Sequence, residues 1–137
     1  MSGASRLNIE STFLRLRSDA SIEPLPVDDT FWQRLGRGEL GTFRNEYLVS
    51  LHEFDTDWSV WEKHPHGDEI VCLLSGAVTL VLERQAGPEY TELSEAGAFV
   101  LVPKGTWHTA MVRAPSRMLF ITAGEGTESR EATAGKA

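Results

Sequence analysis

Cysteine, positive charge and long apolar runs are all scarce in this chain, and each shortage removes a class of protein. A lone cysteine, Cys72, excludes an intramolecular disulfide framework and any cysteine-rich zinc site. It sits in the run Ile70-Val71-Cys72-Leu73-Leu74, where it reads as a small buried hydrophobe rather than a nucleophile. Lys and Arg number 13 against 20 Asp and Glu, a formal net charge of -7, and the basic residues are dispersed. No nucleic-acid partner is expected, because phosphate affinity comes from clustered cations. No segment approaches the roughly 18 uncharged apolar residues that span a bilayer, so no membrane partner is expected either. Arg6, Glu10, Arg15 and Arg17 interrupt the N-terminal apolar residues, which therefore lack the hydrophobic region of a secretory signal; a cytoplasmic location is the expectation. Neither a Ser-His-Asp elbow nor a phosphate-cradling Gly-rich loop is present, and no catalytic residue can be named.

What remains is an ordinary globular composition, 41% hydrophobic and 24% charged over 137 residues, enough for one compact domain with one core. Residues 1–20 are expected to begin disordered or to pair Phe13, Leu14 and Leu16 onto a sheet edge. Pro24 and Pro26 exclude a helix around them, and Asp28-Asp29-Thr30 then caps a short helical turn through Phe31-Trp32-Gln33-Arg34-Leu35. Phe31 and Trp32 are expected to staple this segment to the rest. Short strands follow, at 42–54, 58–64, 69–75, 77–84, 90–93, 98–102, 106–113 and 117–122, separated by turns such as Ser75-Gly76 and Ala114-Pro115-Ser116. The pattern is all-β, a sandwich or barrel domain over 21–124. The tail 125–137 lacks apolar anchors and is expected to be mobile. The runs IVCLL and AVTLVL are apolar on both strand faces, so something must cover the outer one, and a partner subunit, giving a homodimer, is the preferred cover.

Three of the 4 histidines fall at two loci. Strand side chains alternate, so His64 and His66, with Pro65 between them, project from one face, and His108 on a second strand supplies a third imidazole. With a carboxylate these make a metal site with open positions. Strict alternation favours Asp68 as the acid; a bulge at Gly67 favours Glu69. Parity from His64 turns Trp58 and Glu62 inward as a pocket wall and a second acidic candidate, while parity from His108 turns Ala110 and Val112 inward and Trp107 outward. His52 matches neither locus and reads as an ordinary strand residue.

At these residues the chain resembles the cupin superfamily. Gly97, AFVLV, Pro103-Lys104-Gly105, Thr106-Trp107 and His108 match the second cupin motif, except that Val112 stands where an Asn closes it. His64-Pro65-His66, Glu69, IVCLLS and Gly76 match the first, with Gly67-Asp68 one residue short between the second histidine and the acid. The resemblance implies a double-stranded β-helix, or jelly-roll barrel, commonly homodimeric, with Fe, Mn, Zn, Ni or Cu held by His64, His66, Glu69 and His108. An apolar wall of Val71, Leu73, Val100, Val102, Ala110 and Val112 would admit a small, partly hydrophobic molecule. The function expected is a metal-dependent dioxygenase or isomerase, the alternative a ligand-binding or sensing module without turnover, and a structural dimer with an empty barrel a third reading.

Overall fold

The computed structural model describes residues 5–132. Nine strands form one antiparallel network: β1 (Thr12–Leu16), β2 (Ile22–Pro26), β3 (Tyr47–Phe54), β4 (Val60–Lys63), β5 (Glu69–Arg84), β6 (Gly87–Leu93), β7 (Phe99–Val102), β8 (His108–Ala123) and β9 (Glu128–Glu131). One short helix, α1 (Phe31–Gly36), interrupts them.

The shape follows from the two longest strands. The first half of β5 pairs with the second half of β8, Val71 against Phe120, and the second half of β5 pairs with the first half of β8, Leu80 against Ala110. Both strands therefore pass from one leaf to the other. The first leaf runs β2-β1-β3-β8-β5-β7, and the second runs β9-β4-β8-β5-β6. Val71, Leu73, Met118 and Phe120 from the first leaf and Val78, Leu80, Leu82 and Ala110 from the second share one buried core. This is an all-β jelly-roll sandwich.

The expected turns at Ser75-Gly76 and Ala114-Pro115-Ser116 are instead bends within continuous strands, marked by register shifts between Leu73 and Val78. Gly76 has φ 97°, and a Cβ there would lie 2.3 Å from Ser116 Oγ and 2.4 Å from the Pro115 carbonyl, so only glycine fits. Ser116 Oγ accepts the Ala77 N–H at 3.0 Å and donates to the Ala114 carbonyl at 2.6 Å. That hydroxyl replaces ladder bonds lost at the bend.

The N-terminal expectations divide. β1 joins β3, and 1–4 lie outside the described residues. Pro24 and Pro26 exclude a helix, yet their segment is a strand, because β2 is an edge whose missing N–H groups cost no ladder bonds. Phe31 is buried and meets Phe13 edge-on at 5.2 Å, fixing α1 against the first leaf. Residues 42–46 are loop rather than strand, with Phe43 and Asn45 at φ 57°.

The tail is the larger correction. Polar though it is, Glu128–Glu131 pairs backbone to backbone with β4, and Arg130 packs over Trp107 and Trp61 at 4.4 and 5.3 Å. Backbone hydrogen bonds and cation–π contacts need no apolar anchor. Residues 133–137 lie outside the described chain.

Candidate metal centre

Two turns bring the sequence loci together. β4 ends at Lys63, and residues 65–67 turn before β5 opens at Glu69. The Pro103-Lys104-Gly105 turn is tied to them by Gly105 N–H donating to the His64 carbonyl at 3.0 Å, and by Lys104 N–H donating to Asp68 Oδ1 at 2.8 Å. Gly67 is forced by close approach, since a Cβ there would meet Ala123 Cβ at 2.6 Å and the Tyr47 hydroxyl at 2.9 Å.

Glu62 and His108 are direct register partners across β4 and β8. Their side chains therefore share a face. His64 follows two residues after Glu62, and Glu69 enters from the start of β5. Ligand atoms of Glu62, His64 and His108 all lie within 4.8 Å of one another. Glu69 is closer still: Oε1 is 2.9 Å from His108 Nε2, and Oε2 is 3.4 Å from His64 Nε2. His108, Glu69 and His64 are 0%, 2% and 4% exposed.

The proton positions decide what this cluster wants. His108 Nδ1 donates to the Thr106 carbonyl at 3.1 Å, and a carbonyl can only accept, so Nδ1 carries hydrogen and Nε2 faces the carboxylates. His64 is oriented alike, with Nδ1 bonded to Thr127 Oγ1 at 3.0 Å. Thr122 donates to Glu69 Oε2 at 2.7 Å. That leaves His64 Nε2, His108 Nε2 and Glu69 Oε1 buried, mutually close and without an aligned hydrogen-bond partner. Converging lone pairs of this kind repel unless a cation or a proton lies between them. A divalent ion fits: two imidazole nitrogens, two carboxylates and outer hydrogen bonds fixing both rings.

Without metal, protons take that role. Burial would raise the Glu69 carboxyl, but the adjoining His108 and His64 rings hold it down at about 2. Burial would lower His108, yet Glu69 raises it. Burial, followed by repulsion from Glu69, raises the Glu62 carboxyl.

Glu62, His64 and Glu69 lie on the wall of a cavity of about 840 Å³, lined also by Trp32, Phe43, His52, Phe54, Trp58 and Phe120, with His108 buried behind them. His52 stacks on Phe54 at 5.6 Å and 9° and meets Phe120 edge-on at 5.0 Å. Burial pushes its pKa down to about 4, so it is a neutral ring near pH 7. Trp58 lies 6.1 Å from the His108 ring.

Among the residues singled out from sequence, the structure brings together His64, Glu69 and His108, adds Glu62 from the inward parity of β4, and places Trp58 on the cavity wall. His66 does not join them. It is exposed beside Gly126, because the strand ends before it and the two-residue alternation no longer holds. Asp68 is likewise exposed, holding the Lys104 turn. Val71, Leu73, Val102 and Ala110, with Val100 and Val112 packed against them, fill the core rather than line the cavity. They close on one another between the leaves, and the wall is built instead from aromatic rings with Leu35, Leu48 and Val60. Trp107 points outward as expected, between Lys63 at 4.9 Å and Arg130 at 4.4 Å.

Sequence reasoning missed His52, Thr122 and Thr127. The period of β3 could have found His52, since it shares parity with Phe54 and Leu48; no short-range signal marks the two threonines.

Comparisons with known proteins locate the fold. No protein-family profile matches the chain, and no curated protein does. Solved structures do. A cupin-2 domain protein from Shewanella frigidimarina is 23% identical with a TM-score of 0.47, the match covering 57% of this chain and 71% of that one. A cupin superfamily protein from Desulfitobacterium hafniense is 24% identical at 0.47, covering 56% and 65%. An oxalate oxidase is 14% identical at 0.50, covering 59% and 44%, so the match spans less than half of that chain. At such identities the likeness is one of fold. Among the described residues, no helix is long and apolar enough to cross a membrane.

Proposed function

We propose that this cupin-fold chain is a metal-dependent enzyme of small-molecule metabolism, a dioxygenase or isomerase acting on a partly apolar substrate. One observation carries the reading: the buried, unpartnered Nε2 atoms of His64 and His108 converge with the Glu69 carboxylate, and His64 and Glu69 line a ligand-sized cavity. His64, His108, Glu69 and Glu62 would hold the ion, which is Fe, Mn, Zn, Ni or Cu. Bound there, it supplies Lewis-acid or redox chemistry. Glu69 and Glu62 would balance its charge, while the Nδ1 contacts to Thr106 and Thr127 fix both imidazole rings with Nε2 toward the carboxylates.

Element analysis of protein purified without added metal tests this. The expected result is close to one equivalent; less than about a tenth, with none taken up later, rejects the reading. The displacement of His66 from the cluster favours a second reading, a binding or sensing module without turnover. Oxygen uptake or isomer formation across a substrate panel separates the two.

The outer face of the first leaf supports a homodimer. Leu14, Val49, Ile121, Ile70 and Leu101 lie in one cross-strand row, beside a second of Leu51, Leu119, Cys72 and Phe99. Val49 and Leu51 are already buried within the chain, while Phe99 and Leu101 at the β7 end are 57% and 60% exposed, the apolar surface a partner would cover. Sedimentation of wild type against Leu101→Lys tests it: the variant should run as monomer, and a wild-type monomer would refute it. The cytoplasm is the compartment we propose.

A further inference from the structure

We infer that the cavity selects a neutral aromatic compound and rejects carboxylate-bearing ones; the inference rests on the metal-centre reading above. Two independent features carry it, the rings of the wall and the sign of its charge.

The rings come first. Trp58 sits against Phe54 and Phe120, with centroids 5.4 and 5.8 Å away, and His52 packs on both of those phenylalanines. These separations and tilts are those at which aromatic groups attract one another through offset and edge-to-face contact. A flat ring entering the cavity extends an existing cluster, whereas a saturated ring gains only its buried area. Trp58 Nε1 is a buried N–H with no acceptor among the described residues.

Charge narrows the class. The charged side chains of the wall are Glu62, Glu69 and Glu125, and among the described residues no lysine or arginine lines it. Arg15 lies over the Phe43 ring at 4.0 Å but is paired with Glu46 at 2.8 Å, so its charge is already balanced. Two carboxyl groups, Glu62 and Glu69, face the centre that would hold the ion, and Glu125 adds a third to the wall. A substrate carboxylate would bring a further negative charge to a wall that already carries three carboxyl groups, with no lysine or arginine to receive it and two glutamates competing for the ion. A neutral phenol, diol or amide would not.

The test uses the full chain loaded with Zn²⁺ and three matched probes: 4-hydroxybenzamide, 4-hydroxybenzoate and trans-4-hydroxycyclohexanecarboxamide. Binding is followed by calorimetry and by tryptophan fluorescence at pH 7. The amide should bind at least about tenfold more tightly than the carboxylate. It should exceed the saturated amide by about fivefold, the range of aromatic pair preferences. Ser59→Lys, a change at an exposed rim position, should shrink the amide preference by restoring a counter-charge, and Phe54→Leu should shrink the aromatic preference while Zn²⁺ uptake stays unchanged. Equal or tighter binding of the carboxylate to Zn²⁺-loaded protein overturns the inference and leaves the metal centre standing. Indifference to aromaticity overturns it equally. Failure to take up Zn²⁺ overturns both readings together.

Discussion

Exchanging Glu69 for glutamine asks whether the carboxylate at the start of β5, rather than its neighbour Asp68, holds the ion. The two side chains are adjacent in sequence but differ in surroundings. Glu69 is buried with its oxygens 2.9 and 3.4 Å from two imidazole nitrogens, whereas Asp68 is exposed and accepts a backbone N–H. A unit charge about 4 Å from another contributes about 4 kcal/mol at the effective dielectric of a protein site, hence about 8 against a divalent ion. Desolvation of the carboxylate and the residual dipole of glutamine offset more than half of that, leaving about 3 kcal/mol. The dissociation constant should therefore rise roughly 150-fold. Asp68→Asn keeps an oxygen for Lys104 N–H and removes no group near the cluster, so its affinity should stay within about threefold of wild type. Competition with a chromophoric chelator for Zn²⁺ measures both constants. A Glu69→Gln constant within threefold of wild type, or an Asp68→Asn loss of equal size, would refute the assignment.

Other outcomes follow from the same geometry. His66→Ala should leave Zn²⁺ affinity within about threefold, while His108→Ala abolishes tight binding; equal losses in the chelator assay would show that His66 reaches the ion after all. Thr127→Val removes the partner of His64 Nδ1 and should weaken binding by about tenfold, the usual cost of losing an outer hydrogen bond at a metal site. Gly76→Ala, with φ 97° and contacts at 2.3 and 2.4 Å, should destabilise the fold by about 3 kcal/mol or more in urea titrations, and a loss under 1 kcal/mol would contradict the described bend. Stability of the metal-free protein should be greatest near pH 6.5, because below it His52, held at about 4 by burial, resists the proton that the unfolded chain binds. Glu69, held at about 2, contributes fully above 4.5 and loses its contribution as pH falls below that; His108, raised above 6.5, contributes fully below 6.5 and loses it as pH climbs. Zn²⁺ affinity should rise with pH over that upper range, because the ion competes with the His108 proton. Melting temperatures with and without chelator check both trends, and a metal-free protein that gains stability above pH 6.5 would overturn them.

Much of the scaffold was legible from sequence because strand periodicity and turn residues are local properties. The helix at Phe31–Gly36, the outward Trp107, the inward Glu62 and the β-rich middle all follow from rules that reach no further than a few residues. Bends were harder. Gly76 and Pro115 mark turns in any local reading, and only their contact across β5 and β8 makes them kinks in continuous strands. The same limit governs the site. His64-Pro65-His66 looks like a chelating pair while it is assumed to lie on one strand, but β4 stops at Lys63 and the second ring departs. Thr127, on a segment with no apolar anchor, becomes visible only once the tail pairs with β4. The aliphatic residues expected to line the pocket are inward, as their parity requires, but parity cannot tell a packed core from an open cavity.

Because β5 and β8 each thread both halves of the sandwich, neither half is a self-sufficient unit. Residues 69–84 must find residues 108–123 before either leaf has a centre, which makes the decisive encounter non-local and the folding comparatively slow. Loss of one leaf strips two strands from the other at the same moment, so unfolding should proceed in a single step rather than by peeling. The candidate metal cluster straddles that seam, with Glu69 and His108 at the heads of the two strands, so loading it with metal should slow the opening of the entire molecule rather than stiffen one corner.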